Sequence, residues 1–242
     1  SIVDLSIPRD IIELEERLAK SAFVEREGKT YGVINLPAFY ADFEDYNKTN
    51  ASNDVKKEIE RLKAEGMEGL VLDLRNNGGG SLKTVVEMVG LFIKEGPVVQ
   101  VRSTGEPQEV LQDRDRSITW DGPLVILVNE LSASASEILA AAMQDYKRAI
   151  VIGSKQTYGK GTVQIVLDLN RMVRNNTNGD MGALKFTTQK FYRINGGSTQ
   201  LEGVKSDVVV PDRYSYIDIG EKDQDNPLPW DKIDAVDYEL WG

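Results

Sequence analysis

The 242-residue chain contains no histidine and no cysteine. The first absence rules out any Ser-His-Asp triad, because no imidazole is available to take a proton. The second removes thiol nucleophiles and disulfides. Without either residue a zinc site has none of its usual ligands, so only carboxylate sites for hard cations stay open. Basic charge is scarce as well: 29 Lys and Arg against 39 Asp and Glu leave a net charge of −10. Such a surface repels a phosphate backbone and an anionic bilayer, so neither nucleic acid nor strong membrane binding is expected. Long apolar runs are missing too. "LVLDL" and "LVILV" are strand-length, far short of the roughly 18 residues of a membrane span.

What is present suits a folded, water-exposed domain with a sizeable core: 40% hydrophobic and 28% charged residues are ordinary for that class. Residues 1–9 read as a lone strand and 10–21 as a short charged helix or linker. From Lys29 the pattern becomes regular. "TYGVINL" predicts a strand, followed by a loop with aromatics at Phe39, Tyr40 and Phe43. "DVKKEIERLKAEG" predicts an amphipathic helix, with Val55, Ile59 and Leu62 on one face and Gly66 as its stop. "LVLDL", a glycine-rich turn and a helix over "SLKTVVEMVGLFIKEG" come next. A strand near 97–103, a polar stretch over 104–121 and the buried strand "PLVILVN" lead to the helix "SEILAAAMQDYK". "AIVIG" and strands near 162–168 and 184–192 complete the pattern, and an acidic tail runs from Tyr214. Strands alternating with helices predict an α/β architecture with right-handed crossovers.

Three stretches carry candidate chemistry. "LSASASEI" places Ser132, Ser134 and Ser136 at intervals of two ahead of a helix. Ser134 with Glu137 fits a capping box, which explains the pair without any catalysis. The same position suits a nucleophile, since unpaired N–H groups at a helix start can also hold an oxyanion. Spacing alone does not choose among the three serines, and there is no G-x-S-x-G elbow.

Lys160 stands between glycines in "TYGKGTVQ". Read plainly it is a surface lysine on a turn. It is not part of a phosphate-binding loop: five residues separate Gly153 from Gly159 and Gly161 follows the lysine, where that motif needs four and then Ser or Thr. As a general base it must be neutral. An ordinary lysine is only about 0.04% neutral at pH 7, a deficit of roughly 4.6 kcal/mol. The site therefore has to be a dry cleft with no carboxylate paired to the amine. Gln164 is placed to accept a hydrogen bond from the amine without charging it.

"DLRNNGGG" ends a strand in three glycines. Such a turn suits a phosphate cradle, a tight bend or an oxyanion hole. The dinucleotide fingerprint fails because Lys83 replaces its last glycine. Each glycine costs conformational entropy, so close approach of another group to this backbone is expected. A serine nucleophile in this chain needs a lysine, and Lys160 has the best local chemistry.

"LDLRNNGGGSL", "LVNELSASASEILAAAMQDYKRAIVIG", "TYGKGTVQ" and "QKFYRINGGSTQLEGVKSDVVVPD" together resemble the C-terminal processing peptidases, or tail-specific proteases, of the Ser–Lys type. The likeness runs from about Val3 to "PLPWDKIDA". It is nearer to the Gram-negative periplasmic members than to the shorter processing enzymes, whose turn carries a proline where Gly78 stands. The resemblance implies Ser134 as nucleophile, Lys160 as base and Gln164 as its orienting partner. It further implies an oxyanion hole from Ala135 and Gly80, with Gly79 adjacent, and a supporting role for Asp145. "GSKQTYGK" is one residue longer than the usual loop before the lysine. The implied fold is a spiral of ββα units, as in Clp proteases and crotonases, divided as 1–28 (end of a PDZ domain plus linker), 29–213 (peptidase core) and 214–242 (acidic tail on or beyond the core). The implied function is a periplasmic, cofactor-free serine endopeptidase acting on proteins with apolar, loosely folded C-termini, captured by a PDZ domain. A non-catalytic peptide-binding scaffold and a crotonase-like acyl-CoA enzyme are the alternatives.

Overall fold

The computed structural model describes residues 18–42, 49–173 and 179–242. The strand expected over 1–9, most of the 10–21 segment and Phe43 lie outside them. Among the described residues the order is β1 (Lys20–Arg26), β2 (Lys29–Asn35), α1 (Ala51–Ala64), β3 (Gly69–Asp73), α2 (Leu82–Val89), β4 (Gly96–Arg102), β5 (Glu109–Asp113), β6 (Leu124–Val128), α3 (Ala135–Asp145), β7 (Ile150–Gly153), β8 (Thr162–Asp168), β9 (Ala183–Tyr192) and β10 (Val208–Val209).

Two sheets result. One has the order β1-β2-β3-β6-β7-β10, the other β5-β4-β9-β8. The first is parallel from β2 onward and antiparallel only at β1–β2. The β1–β2 hairpin turns through Glu27 and Gly28, both at positive φ, the pair of conformations that matches strand twist in a two-residue loop. β1 alternates half-buried and exposed residues at the sheet edge, too weak a pattern to stand out in the sequence.

α1 starts where the Asn50 side chain accepts a hydrogen bond from the Asn53 amide at 2.9 Å, and it buries Val55, Ile59 and Leu62. Each such side chain contributes about 1.5–3 kcal/mol when fully buried. α2 is shorter than its apolar pattern predicts. It ends at Val89, and Gly90 then passes so close to β5 that a Cβ there would lie 2.7 Å from the Asp113 carboxyl carbon. Leu91, Phe92 and Ile93 then enter the core from a turn instead of a helix. α3 is buried at every residue from Ala135 to Met143. It packs on β7 of the first sheet and β4 of the second, with α2 alongside, so it is covered all round. β4 is the strand expected near 97–103, while its partner β5 lies in the stretch expected only to be polar.

The register places the site. β3 and β6 are parallel neighbours, with Asp73 opposite Leu127. The turns leaving their carboxyl ends, 74–81 and 129–134, therefore emerge side by side. Asn129 ties them together: its Oδ1 accepts from the Asn76 amide and its Nδ2 donates to Asn76 Oδ1, both at 2.9 Å.

Residues 214–242 carry no long regular element but lie on the core. The Ile233 amide donates to Gly196 O and the Val236 amide to Ile194 O at 2.9 Å, and the Trp241 amide donates to Tyr146 O at 2.8 Å. Asp231 accepts from Lys190 Nζ at 2.8 Å and from the Tyr192 hydroxyl at 3.1 Å. Trp241 covers the Arg148 guanidinium at 4.4 Å, a group whose burial pulls it down to about 10.

Candidate active site

The three serines separate by what their hydroxyls touch. Ser132 Oγ donates to Leu74 O at 2.8 Å and accepts from the Asn129 amide at 2.9 Å. Ser136 Oγ donates to Asn77 O at 2.8 Å. Both are fully buried and pin the serine turn to the glycine turn. Ser134 alone faces a cavity of about 200 Å³, whose walls include Gly80, Ala135, Lys160 and Gln164. Tertiary packing thus separates three serines that spacing could not tell apart.

Ser134 sits at φ +57°, ψ −111°, a conformation that costs a non-glycine residue on the order of 1–3 kcal/mol. Four contacts hold it there. The Ser134 amide donates to Glu137 Oε2 at 2.8 Å, the Ile138 amide donates to Ser134 O at 2.9 Å, the Ala133 amide to Asn77 O at 3.0 Å and the Ser136 amide to Ala133 O at 3.1 Å. The result is a sharp turn into a helix with the hydroxyl outside, reached without the G-x-S-x-G sequence that marks such elbows elsewhere. Only the Glu137 half of the expected capping box carries a hydrogen bond of ordinary geometry.

Two of the three glycines in the turn approach the protein's own backbone. A Cβ on Gly79 would lie 2.8 Å from Ala133 O, and one on Gly80 would lie 2.2 Å from Phe39 O. Gly78 faces open space along the cavity. The amides differ in the same instructive way. Gly79 donates to Asn77 Oδ1 at 2.9 Å, so it offers nothing to a ligand. The Gly80 and Ala135 amides donate to no acceptor among the described residues and border the cavity. Paired N–H groups beside a hydroxyl can receive the oxygen of an attacked carbonyl.

Lys160 reaches the cavity from the loop before β8. Its Nζ lies 3.5 Å from Gln164 Oε1, and Gln164 Nε2 reaches Thr187 Oγ1 at 3.4 Å. Leu82, Ile138, Val163 and Phe191 supply apolar wall. Burial pulls the amine below the ordinary lysine range and the nearby Lys185 charge adds to that, while Glu221 and Glu137 act weakly the other way. Among the described residues no carboxylate is ion-paired with it. The Ser134 hydroxyl and the Lys160 amine share the cavity but are not hydrogen-bonded to each other.

Glu137 does more than cap. Fully buried, its Oε1 accepts from Thr157 Oγ1 and the Gly159 amide, each at 2.6 Å. Its Oε2 accepts from the Ser134 amide at 2.8 Å and the Lys160 amide at 3.0 Å. One carboxyl group thus holds the backbone of both the serine and the lysine. Burial pushes it up to about 7, and the four donors pull it back only in part. The local S-x-x-E pattern showed the contact with the Ser134 amide. The others come from a loop 20 or more residues away, and no local signal marks them. Lys185, from β9, likewise carries no sequence mark.

Asp145 does not reach the cavity. It closes α3 at the end opposite Ser134, about 15 Å along the axis at 1.5 Å per residue. There it pairs with Arg193 at 2.6 and 3.0 Å and accepts from Asn195 Nδ2 at 2.8 Å, fastening the segment after β9. No group of three or more metal-ligating side chains occurs among the described residues, and no helix among them is long and apolar enough to cross a membrane.

Comparison with known proteins agrees with this geometry. The model of peptidase family S41 matches residues 30–210, and that of the C-terminal domain of tail specific protease matches residues 214–242. The tail-specific protease of Haemophilus influenzae is 44% identical over 234 residues, 97% of this chain and 32% of its own length. The carboxy-terminal-processing protease of Bartonella bacilliformis is 33% identical over 224 residues, 90% of this chain and 46% of its own. The chain therefore spans a third to a half of these relatives. Among solved structures, the photosystem II D1 C-terminal processing protease superposes with a TM-score of 0.63 at 27% identity, over 79% of this chain and 48% of that one. Mature CPAF complexed with lactacystin gives 0.60 at 14% identity, over 80% and 50%, which speaks for the fold alone.

Proposed function

The chain belongs to peptidase family S41, and from that premise we propose that it carries out serine endopeptidase chemistry on proteins with apolar, loosely folded C-termini. The observation that supports this most directly is the cavity in which one serine of three meets a lysine with a lowered affinity for protons, beside two unengaged amides. In this reading neutral Lys160 takes the Ser134 hydroxyl proton as Oγ bonds to the scissile carbonyl carbon. The carbonyl oxygen, now an anion, lies between the Gly80 and Ala135 amides, each worth about 3 kcal/mol at the transition state. As the C–N bond breaks, the Lys160 ammonium returns its proton to the leaving amine. Water then attacks the Ser134 ester, with Lys160 taking a proton from water and giving one back to Oγ. Substrate brings hydroxyl and amine together, since catalytic contacts are often loose without it.

Recognition of the tail belongs, in this proposal, to a PDZ domain outside the chain, and the enzyme works in the periplasm, where cell fractionation should find it. The test is digestion of an unfolded protein with an apolar C-terminus, read by mass spectrometry. The parent is expected to cut it, with or without a chelator, while Ser134→Ala and Lys160→Ala do not. Cleavage that survives either substitution refutes the mechanism.

A further inference from the structure

The loop that carries Lys160 is clamped from two sides. Glu137 holds the inner side. The outer side rests on residues 198–201. The Leu201 amide donates to Gly159 O at 2.7 Å, Thr199 Oγ1 donates to Lys160 O at 2.8 Å, and the Gly161 amide donates to Gln200 Oε1 at 2.8 Å. The fit is close enough to demand glycine, as a Cβ on Gly161 would lie 2.8 Å from Gln200 Cβ and one on Gly159 would lie 3.0 Å from Leu201 C.

Gln200 is fully buried, and its other end points away from the core loop. Nε2 donates to Leu228 O at 3.0 Å and to Glu221 Oε1 at 3.2 Å, both on the C-terminal segment. That segment also touches the base loop directly: the Glu221 amide donates to Tyr158 O at 2.9 Å and Gln224 Nε2 to the Tyr158 hydroxyl at 2.8 Å. A buried amide with acceptor and donor ends both engaged can adopt one orientation only. We infer that Gln200 is a positioning residue through which the C-terminal segment, 214–242, sets the loop of the Lys160 base. The inference rests on the Ser–Lys reading. Its consequence is that this segment belongs to the catalytic machinery although none of its residues needs to touch substrate.

The charged groups facing the Lys160 amine are Lys185 from β9, Glu221 from the C-terminal segment and Glu137 from α3. They make a discriminating experiment possible. The assay is the rate of Ser134 modification by a small serine-directed phosphonylating probe, followed by mass spectrometry from pH 6 to 10, with a melting curve for each variant. Gln200→Ala releases Gly161 and with it the loop that holds the amine in its cavity. It is expected to slow modification at least tenfold at neutral pH and to move the rising limb to higher pH. Glu221→Ala removes an anion, which on charge alone would favour the neutral amine, speed the reaction and lower the limb. Because it also strips Gln200 of a partner, we expect modification several-fold slower. A folded Gln200→Ala with the parent's rate and limb would overturn the inference. Should that variant fail to melt cooperatively, Glu221→Ala decides, and a rate equal to or above the parent's refutes it. A parent left unmodified at Ser134 would sink the Ser–Lys reading first, and the inference with it.

Discussion

Replacing Glu137 by glutamine keeps the size and hydrogen-bonding span of the side chain but exchanges one acceptor oxygen for an NH2. Each oxygen now receives two donors, so the exchange strands some of them wherever the NH2 is placed. On the Thr157 side the hydroxyl can turn and accept, but the Gly159 amide cannot. On the other side the amides of Ser134 and Lys160 both lose their acceptor. A buried donor left unmatched costs roughly 1–3 kcal/mol. At pH 8, where Glu137 is mostly ionised and accepts from all four donors, one amide stranded with a donor pressed against it should cost about 2–4 kcal/mol. For a chain of this size that corresponds to a melting temperature lower by roughly 5–15 °C. The strained Ser134 turn loses its tether in the second arrangement, so phosphonylation of Ser134 should also fall by tenfold or more. The pH dependence separates this account from simple damage. Because burial raises the folded-state pKa to about 7, the group's contribution to stability is fully present below the ordinary glutamate range and shrinks as pH rises towards 7. That slope should vanish in Glu137→Gln. Urea unfolding between pH 4 and 8 reads both effects. A variant with the parent's stability, slope and phosphonylation rate would refute the view that one carboxyl group holds serine and lysine together.

Ser132→Ala strands the Asn129 amide and should lower stability by about 1–3 kcal/mol, whereas Ser136→Ala removes one of two donors to Asn77 O and should cost about 0.5–1.5 kcal/mol; both should leave Ser134 open to the probe, and loss of labelling in a folded Ser132→Ala would reopen the choice of nucleophile. Lys185→Met removes a positive charge that helps keep Lys160 neutral, so the rising limb of the pH–rate curve should move to higher pH, and Lys185→Glu should move it further. An unmoved limb in both would leave burial as the whole cause of the lowered lysine.

How much of this was legible in the chain differs by element. The buried strands β3 and β6 and the helices α1 and α3 stand out because their apolar residues repeat at the period of the element or run unbroken. β1 and β5 are edge strands of mixed polarity and β10 is an edge pair of exposed valines, and pairing creates them. α2 stops short of its apolar pattern, and Gly90 after it abuts Asp113, a contact 23 residues on that no window of sequence holds. In the glycine turn, the expectation of close approach was right for Gly79 and Gly80, but what approaches is the protein itself. Asn77 takes the Gly79 amide, which the resemblance had placed next to the oxyanion hole.

The sequence by itself limited the chemistry available: with no histidine and no cysteine, the proposed serine reading has to look to lysine, and "GKG" singled out Lys160 as the candidate. It also determined the alternation of strands and helices, because periodicity is a local property. Only the tertiary structure decided which of three serines is free, which two amides are unengaged and what lowers the affinity of Lys160 for protons. Those are questions of what each group faces once Ser132 and Ser136 have been absorbed by packing. The same holds for Glu137 and Gln200, whose partners lie 20 to 39 residues away. A hydrogen bond is short-ranged in space and blind to sequence separation, so the fold has to form before such partners exist.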